Sequence, residues 1–159
     1  MPADPADPAD PAVLSAAESA TLSAVASRIV PDEDGSPGAV GAGADRYILR
    51  SLAAERAGFR AAYRVGLAAV DAAAGTLFGH GFVRLSAGQQ DEVLASAWAG
   101  PAEAFLTMVR AHVVEGLFAD PRWGGNEGRA GWALLGYRGP QRVWTAEQQA
   151  VTSPDGLRW

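Results

Sequence analysis

The stretch FRAAYRVGLAAVDAAAGTLF, residues 59–78, decides the fold class of this 159-residue chain. Its apolar residues recur at helical spacing, which predicts an amphipathic helix with one buried face. The positions on that face are Phe59, Tyr63, Gly66, Leu67, Val70, Ala74, Leu77 and Phe78. No run of alternating β-branched residues occurs elsewhere in the chain. The sequence therefore predicts an all-α domain of about five amphipathic helices.

Two helix starts are marked by local sequence. Ser15 with Glu18, and Ser86 with Gln89, have the spacing of a capping box, in which two side chains satisfy free backbone amides of the first turn. We expect folded structure to start at Ser15, and the first helix to end at Pro31, because the residue before a proline disfavours helical geometry. The inward residues of these two helices are Leu22, Val25, Ala26 and Ile29 in the first, and Val93, Leu94, Ala97 and Trp98 in the second.

Two more helices follow from apolar spacing and from helix breakers. Residues 44–57 predict a helix with Tyr47, Ile48 and Leu52 inward, preceded by a polar, turn-forming loop over residues 32–43. Pro101 is suited to a helix start, and the helix that follows should end near residues 116–120. The residues predicted to be buried in it are Phe105, Met108, Val109, His112 and Val113.

The two ends of the chain differ from the helical domain, which we assign to residues 13–140. Residues 1–12 contain a threefold Ala-Asp-Pro repeat, whose proline and charge content predicts a disordered tail. Residues 141–159 predict an irregular C-terminal extension with one short turn at residues 145–149.

The end of the domain is rich in glycine and aromatic residues, and reads EGLFADPRWGGNEGRAGWALLGYRG over residues 115–139. Glycine is used where the backbone needs a positive φ or a close approach, and tryptophan and tyrosine often anchor interfaces. We therefore expect a long loop that is ordered by packing and not by secondary structure, and we call residues 120–139 the closing segment. The predicted partner-binding residues are Asp120, Pro121, Trp123, Gly124, Gly125, Asn126, Trp132 and Tyr137.

The two tryptophans of the closing segment are expected to differ. Trp123 precedes two glycines, which would let a partner's backbone come close, so it is predicted to be a docking anchor. Trp132 precedes the apolar residues Ala133, Leu134 and Leu135, so it is predicted to pack in the core. The alternative is that both form an internal lid over the helices.

Composition excludes several classes of function. The formal net charge of −5 and the pI near 4.9 argue against nucleic acid as a partner, because phosphate binding needs clustered cations. The arginines at positions 46, 50, 56, 60 and 64 could form a basic stripe, but the interspersed Asp45 and Glu55 predict ordinary ion pairs instead. The chain has no cysteine, which excludes disulfides, thiolate metal sites and cysteine-ligated iron–sulfur clusters. No apolar window is long enough to predict a membrane span.

Few residues qualify as catalytic or metal-binding. His112 and Glu115 share one helical face, and Asp120 is close in sequence, so these three could hold a metal ion. Di-iron bundles, however, use Glu-x-x-His pairs from two helices together with two further glutamates. His80 lies between two glycines without an orienting partner. We therefore predict no catalytic, cofactor-binding or metal-binding residue in this chain.

Several motifs resemble the small-subunit family of gluconate 2-dehydrogenases, subunit 3, which also includes the small subunits of FAD-dependent sugar dehydrogenases. The first is Ile29-Val30-Pro31-Asp32 followed by Pro37-Gly38-Ala39. The second is Tyr63, then Phe82 before Leu85-Ser86 and Gln89-Gln90. The third is the Asp-Pro-x-aromatic-Gly-Gly-Asn run that begins at Asp120, with Gly131-Trp132 and Gly136-Tyr137-x-Gly139 after it. The likeness covers roughly residues 14–140.

This resemblance implies a non-catalytic accessory subunit without a cofactor of its own. Its partner would be a large flavoprotein of the glucose-methanol-choline type, which binds FAD and oxidises a sugar, polyol or glycoside. A cytochrome or another electron acceptor could join the complex. The alternatives that remain open are a stand-alone sugar-binding module, and a metal-dependent enzyme that uses His112, Glu115 and Asp120.

The sequence departs from the family pattern in two places. Family members usually start with a twin-arginine signal, whereas this chain starts with the Ala-Asp-Pro repeat. We therefore expect a cytoplasmic complex, or a periplasmic one if a native leader is missing. The closing Gly-Tyr of the family usually continues with proline, and here Arg138 takes that position.

Overall fold

Helices make up most of the protein. The computed structural model describes residues 13–33 and 35–140, and within these no β-strand occurs beyond an isolated bridge between Glu33 and Ser36. The helices are α1 (Ala16–Ile29), α2 (Gly38–Gly41), α3 (Ala44–Ala53), α4 (Arg60–Phe78), α5 (Ala87–Trp98), α6 (Glu103–Phe118) and α7 (Ala130–Leu134). The all-α prediction is confirmed, and α2 and α7 add two short helices to the five expected. The repeat at 1–12 and the extension at 141–159, with its expected turn at 145–149, lie outside the described residues.

Both predicted capping boxes are present. At the start of α1, Glu18 N donates to Ser15 Oγ at 3.2 Å, and Ser15 N donates to Glu18 Oε2 at 2.7 Å. At the start of α5, Gln89 N donates to Ser86 Oγ at 3.4 Å, and Ser86 N donates to Gln89 Oε1 at 3.0 Å. Each box replaces hydrogen bonds that the first helical turn cannot make internally.

α4 supplies the middle of the core, where it packs against α1, α5 and α6. The central part of its predicted face, which includes Tyr63, Leu67 and Val70, is buried. The two ends of that face are the exception, because Phe59 and Leu77 are each 45% exposed. Phe59 belongs to a separate 3₁₀ turn (Ala57–Phe59) and not to α4. The predicted periodicity therefore describes the middle of this face and not its outermost positions.

Two expectations for the start of the domain need correction. Val13 and Leu14, which precede the expected start at Ser15, are already buried in the core. Arg64 fixes this approach, since its Nη2 donates to Val13 O at 3.1 Å. The segment expected to be a polar loop over residues 32–43 contains α2, whose Ala39 is fully buried.

The helix predicted over residues 44–57 ends earlier, at Ala53. Ala54 leaves helical geometry with φ −120° and ψ −107°, and its amide bonds to Ser51 O. The inward positions Tyr47, Ile48 and Leu52 are buried as predicted. The end of α3 and the residues after it face Arg122 and Trp123 of the closing segment across a cleft.

The contact between α3 and α6 is more extensive than that between any other two helices in the described part of the chain. The two helices come close at Gly116, where an added Cβ would lie 3.0 Å from Ala44 Cα. Val109 and Val113 are buried as predicted, whereas Phe105, Met108 and His112 are only partly buried. Pro101 precedes the N-cap residue of α6 and so lies just outside the helix. Leu106 and Leu117 complete the buried face of α6.

Candidate functional site

The closing segment follows α6 and consists of short helical pieces. Pro121–Trp123 and Glu127–Arg129 are 3₁₀ turns, and α7 follows the second of them directly. The expectation of a loop without secondary structure is therefore wrong for these pieces. Asp120 starts the first turn, because its Oδ1 accepts a hydrogen bond from Arg122 N at 3.1 Å.

Asn126 holds the closing segment together. Its side chain is fully buried, although its φ of +48° lies in the left-handed region. Asn126 Nδ2 donates to Ala119 O at 2.9 Å, just after α6. Asn126 Oδ1 accepts from Gly131 N at 2.8 Å and from Trp132 N at 3.4 Å, at the start of α7. One side chain therefore ties the end of α6 to α7, and asparagine suits this place because it tolerates left-handed backbone.

Two glycines let the closing segment lie directly on α6. A Cβ at Gly125 would overlap the carbonyl oxygen of Gly116, and a Cβ at Gly131 would overlap that of Leu117. The backbone also reaches the end of α2, where Glu127 N donates to Ala42 O at 2.8 Å. No side chain other than hydrogen fits at these two contacts, which fixes the segment against the helices.

Trp132 is 7% exposed and packs in the interior, as the sequence predicts. Its Nε1 donates to Phe118 O at 2.9 Å, at the last residue of α6. Leu134 and Leu135 are exposed, however, so their apolar character is not what buries the indole. Tyr137 covers the Trp132 ring edge-on at 5.1 Å between ring centroids, and about half of Tyr137 remains exposed.

Trp123 presents the opposite case, with 63% of its surface exposed. The guanidinium carbon of Arg122 lies 5.7 Å from its ring centroid, and Arg122 is in turn paired with Asp120 at 3.0 Å. The indole borders an open cleft of about 370 Å³ between the closing segment and the end of α3. The lining residues of this cleft are Tyr47, Arg50, Ser51, Ala53, Ala54, Glu55, Arg122 and Trp123.

The eight predicted partner-binding residues thus fall into groups by exposure. Trp123 and Tyr137 present aromatic surface to solvent. Gly125, Asn126 and Trp132 are buried, so direct contact with another protein is open only to the remaining members. These are Trp123 and Tyr137 together with Asp120, Pro121 and Gly124, which are partly buried. The buried residues set the shape of the surface on which Trp123 stands.

A polar cluster lies beside the cleft, where α3 meets α6. Arg56 Nη2 donates to both carboxylate oxygens of Glu115, at 2.8 and 2.7 Å, and the Tyr47 hydroxyl donates to Glu115 Oε1 at 2.8 Å. Burial alone would raise the pKa of Glu115, but the hydrogen bonds from Arg56 and Tyr47 outweigh it and lower that pKa. Glu115 is therefore a paired carboxylate.

His112 lies one turn earlier on α6. Its Nδ1 is 2.8 Å from the hydroxyl of the buried Tyr63, and Phe59 packs edge-on against its ring at 6.0 Å. Burial, with a smaller effect from the charge of Arg56, lowers the pKa of the imidazole. Burial also raises the pKa of Tyr63. Both groups are thus held in their neutral forms around neutral pH.

The hypothesis of a metal site at His112, Glu115 and Asp120 finds no matching geometry. Each of the three has a different protein partner: Tyr63 for His112, Arg56 for Glu115 and Arg122 for Asp120. Within residues 13–33 and 35–140, no group of three or more His, Asp or Glu residues is arranged to hold a metal ion.

The ion pairs expected from the interspersed Asp45 and Glu55 form at Arg46 and Arg56, but with other carboxylates. Arg60 and Arg64 of α4 donate to backbone carbonyl oxygens. Arg46 pairs with Glu127 of the closing segment, with Nε 3.0 Å from Oε1. Asp45 is buried and accepts a hydrogen bond from Ser23 Oγ at 2.7 Å, so it is not available to the arginines. Arg50, which lines the cleft, was missed as a site residue. Its contact with the closing segment is formed only in the folded chain, and no local pattern signals it.

The chain matches the family described as gluconate 2-dehydrogenase subunit 3 over residues 16–139. No curated protein and no solved structure matches it. None of the helices in the described part of the chain has the length and apolar character needed to span a bilayer. The matched residues include α1 to α7 and end at the last residue of the closing segment. The chain belongs to the gluconate 2-dehydrogenase subunit 3 family.

Proposed function

We propose that this chain is a non-catalytic accessory subunit that binds and stabilises a large FAD-dependent dehydrogenase of the glucose-methanol-choline type. The family supports the coarse part of this proposal, because it is a dehydrogenase subunit. The FAD would reside in the large subunit, which would oxidise a sugar, polyol or glycoside. A cytochrome or another acceptor would take the electrons.

The observation that carries the proposal is an exposed apolar surface on a rigid support. The closing segment presents four large apolar side chains with about half or more of their surface exposed, namely Trp123, Leu134, Leu135 and Tyr137. Exposed aromatic residues of this kind are enriched at the centres of protein interfaces. The hydrogen bonds of Asn126 and the contacts of Gly125 hold the segment in place before any partner arrives, which lowers the entropy cost of binding.

The polar groups of the domain support a structural role and not a catalytic one. The carboxylate of Glu115 is neutralised by Arg56, and the imidazole of His112 is engaged by Tyr63. A general base needs a free lone pair within reach of its substrate. These two residues instead join α4 and α6 to the end of α3, which supports the site on which Trp123 lies.

Co-expression with a large FAD oxidoreductase encoded beside this chain tests the proposal. We expect the tagged wild-type chain to recover a complex with flavin absorbance, and Trp123→Ala to recover much less. Truncation of an interface anchor costs about 2–4 kcal/mol of binding. The melting temperature of the free chain should stay nearly unchanged, since Trp123 is 63% exposed.

Leu77→Ala is the matched control, because Leu77 is also an exposed apolar residue but lies at the far end of α4. It should leave recovery of the complex unchanged. Equal recovery with Trp123→Ala and wild type would remove Trp123 from the interface. Flavin bound stoichiometrically to the isolated chain would contradict the non-catalytic assignment.

A further inference from the structure

The cleft beside Trp123 carries an arginine that lies against the closing segment. Arg50 is exposed at the last turn of α3 and lies against Gly124. Gly124 has φ +89°, and a Cβ there would lie 2.8 Å from Arg50 Cδ. Any larger residue would therefore push the arginine away. The Arg50 side chain thus packs against Gly124, and no described carboxylate is paired with it.

The charges around this cleft are unevenly compensated. Asp120 is paired with Arg122, Glu127 with Arg46, and Glu115 with Arg56. Within the described residues, three arginines at this end of the molecule have no carboxylate partner: Arg50, Arg129 and Arg138. The chain as a whole has a formal net charge of −5. Against these three arginines stands one unpaired carboxylate of the described cleft lining, Glu55, so the cleft and the closing segment carry a small positive excess that favours an acidic partner surface.

The lining of the cleft further restricts what fits. A guanidinium without a carboxylate partner binds a carboxylate in a bidentate geometry. The exposed face of Trp123 offers apolar area next to it. Glu55 also lines the cleft and repels a second carboxylate. The volume of about 370 Å³ suits a few side chains of an extended peptide.

We propose that this cleft receives an extended segment of the large flavoprotein, with one carboxylate on Arg50 and a neighbouring apolar side chain against Trp123. This inference rests on the proposed function and adds the chemistry of the contact. Gly124 then has a defined role, since its missing side chain leaves the space in which Arg50 lies. Arg122 also lines the cleft, but its charge is already paired with Asp120, so Arg50 is the guanidinium that is open to the carboxylate.

Charge reversal tests the contact in the complex of the two full-length subunits. We expect Arg50→Glu to weaken binding by about tenfold or more, and Arg50→Lys, which keeps the charge but not the bidentate geometry, to weaken it less. Arg84→Glu is the control, because Arg84 is an exposed arginine on the Phe82–Arg84 turn and does not line the cleft. It should change the dissociation constant by less than about twofold. Added salt should weaken wild-type binding more than binding of Arg50→Gln.

The outcomes separate this inference from the proposed function. A flavin-containing complex that Arg50→Glu weakens no more than Arg84→Glu would overturn the carboxylate contact and leave the accessory role standing. Failure of the wild-type chain to bind the flavoprotein at all would overturn both. A homodimer of this chain that Arg50→Glu dissociates would assign the cleft to a second copy. Saturable binding of glucose to the isolated chain, lost in Arg50→Glu, would assign it to a sugar.

Discussion

The helical body (residues 13–118) and the closing segment (residues 120–139) are both ordered, but different interactions order them. In the body, apolar side chains such as Leu22, Tyr63 and Leu67 are removed from water along regular helical faces. The closing segment is held by the buried Asn126 side chain, by two close backbone contacts and by the buried Trp132, and four large apolar side chains remain exposed. Apolar burial stabilises the body, while directional contacts shape the segment and leave its apolar surface available to a partner.

The largest expected effect of a single substitution belongs to the body. Phe82 is fully buried, so Phe82→Ala should lower the free energy of unfolding by about 3–5 kcal/mol through lost burial and a residual cavity. Thermal unfolding followed by circular dichroism measures this. The adjacent Val83 is half exposed, and Val83→Ala should change stability by less than about 0.5 kcal/mol. Equal effects at the two positions would contradict the assignment of Phe82 to the core.

Asn126→Ala should cause the next largest loss of stability, and this loss should be confined to the closing segment. The substitution removes hydrogen bonds to Ala119 O and Gly131 N and leaves these groups without partners, which costs about 2–4 kcal/mol. Hydrogen exchange should accelerate at the amides of Gly131 and Trp132 and stay slow in the middle of α4. Asn126→Asp keeps the acceptor and should restore part of the protection. Uniform acceleration throughout the domain would show that the segment and the body unfold as one unit.

Acidification should destabilise the body through His112, which joins α6 to Tyr63 of α4. The folded-state pKa of His112 lies below its usual value because of burial and Arg56, so the unfolded chain takes up the proton more readily. The free energy of unfolding should therefore fall as the pH drops below about 6.5, the ordinary pKa of histidine. His112→Gln should flatten the profile in that range. Glu115 contributes separately at lower pH, because its own pKa is depressed. If the free energy of unfolding of the wild-type chain stays constant down to pH 5.5, His112 does not contribute to its pH dependence.

The smallest effect concerns the exposed ion pair between Arg46 of the body and Glu127 of the closing segment. Its side chains are 39% and 53% exposed, so solvent screens the attraction. A double-mutant cycle of Arg46→Gln and Glu127→Gln should give a coupling of about 0.2–1 kcal/mol that disappears in high salt. A larger coupling that resists salt would mean that charge, and not Asn126, fastens the segment.

The sequence was sufficient wherever the structure is set by neighbouring residues. The capping boxes at Ser15 and Ser86 involve partners only three residues away, and both are present. The buried stripe of α4 follows from the helical repeat, except at the outermost positions Phe59 and Leu77, which remain 45% exposed. All-helical architecture was therefore predictable, and the exact ends of α3 and the presence of α2 were not.

The candidate site depends on contacts between residues far apart in the chain, and these could not be read from the sequence. The glycine and aromatic content set the closing segment apart from the helices, and the residues that follow each tryptophan predicted an exposed Trp123 and a buried Trp132. These patterns did not show that Gly125 lies on the Gly116 carbonyl, or that Gly124 makes room for Arg50. A glycine in a sequence indicates that a side chain is absent, and only the fold shows which group occupies the space.

The anchoring of the closing segment has a consequence for the order of events during synthesis. Its hydrogen-bond partners at Ala42, Phe118 and Ala119 belong to the body or directly follow it, and each must be in place before the segment can settle. A ribosome delivers the amino-terminal helices first. We therefore expect Trp123 to reach its final position only after the helices are assembled. Competence to recruit the large subunit would then signal that the small subunit has finished folding.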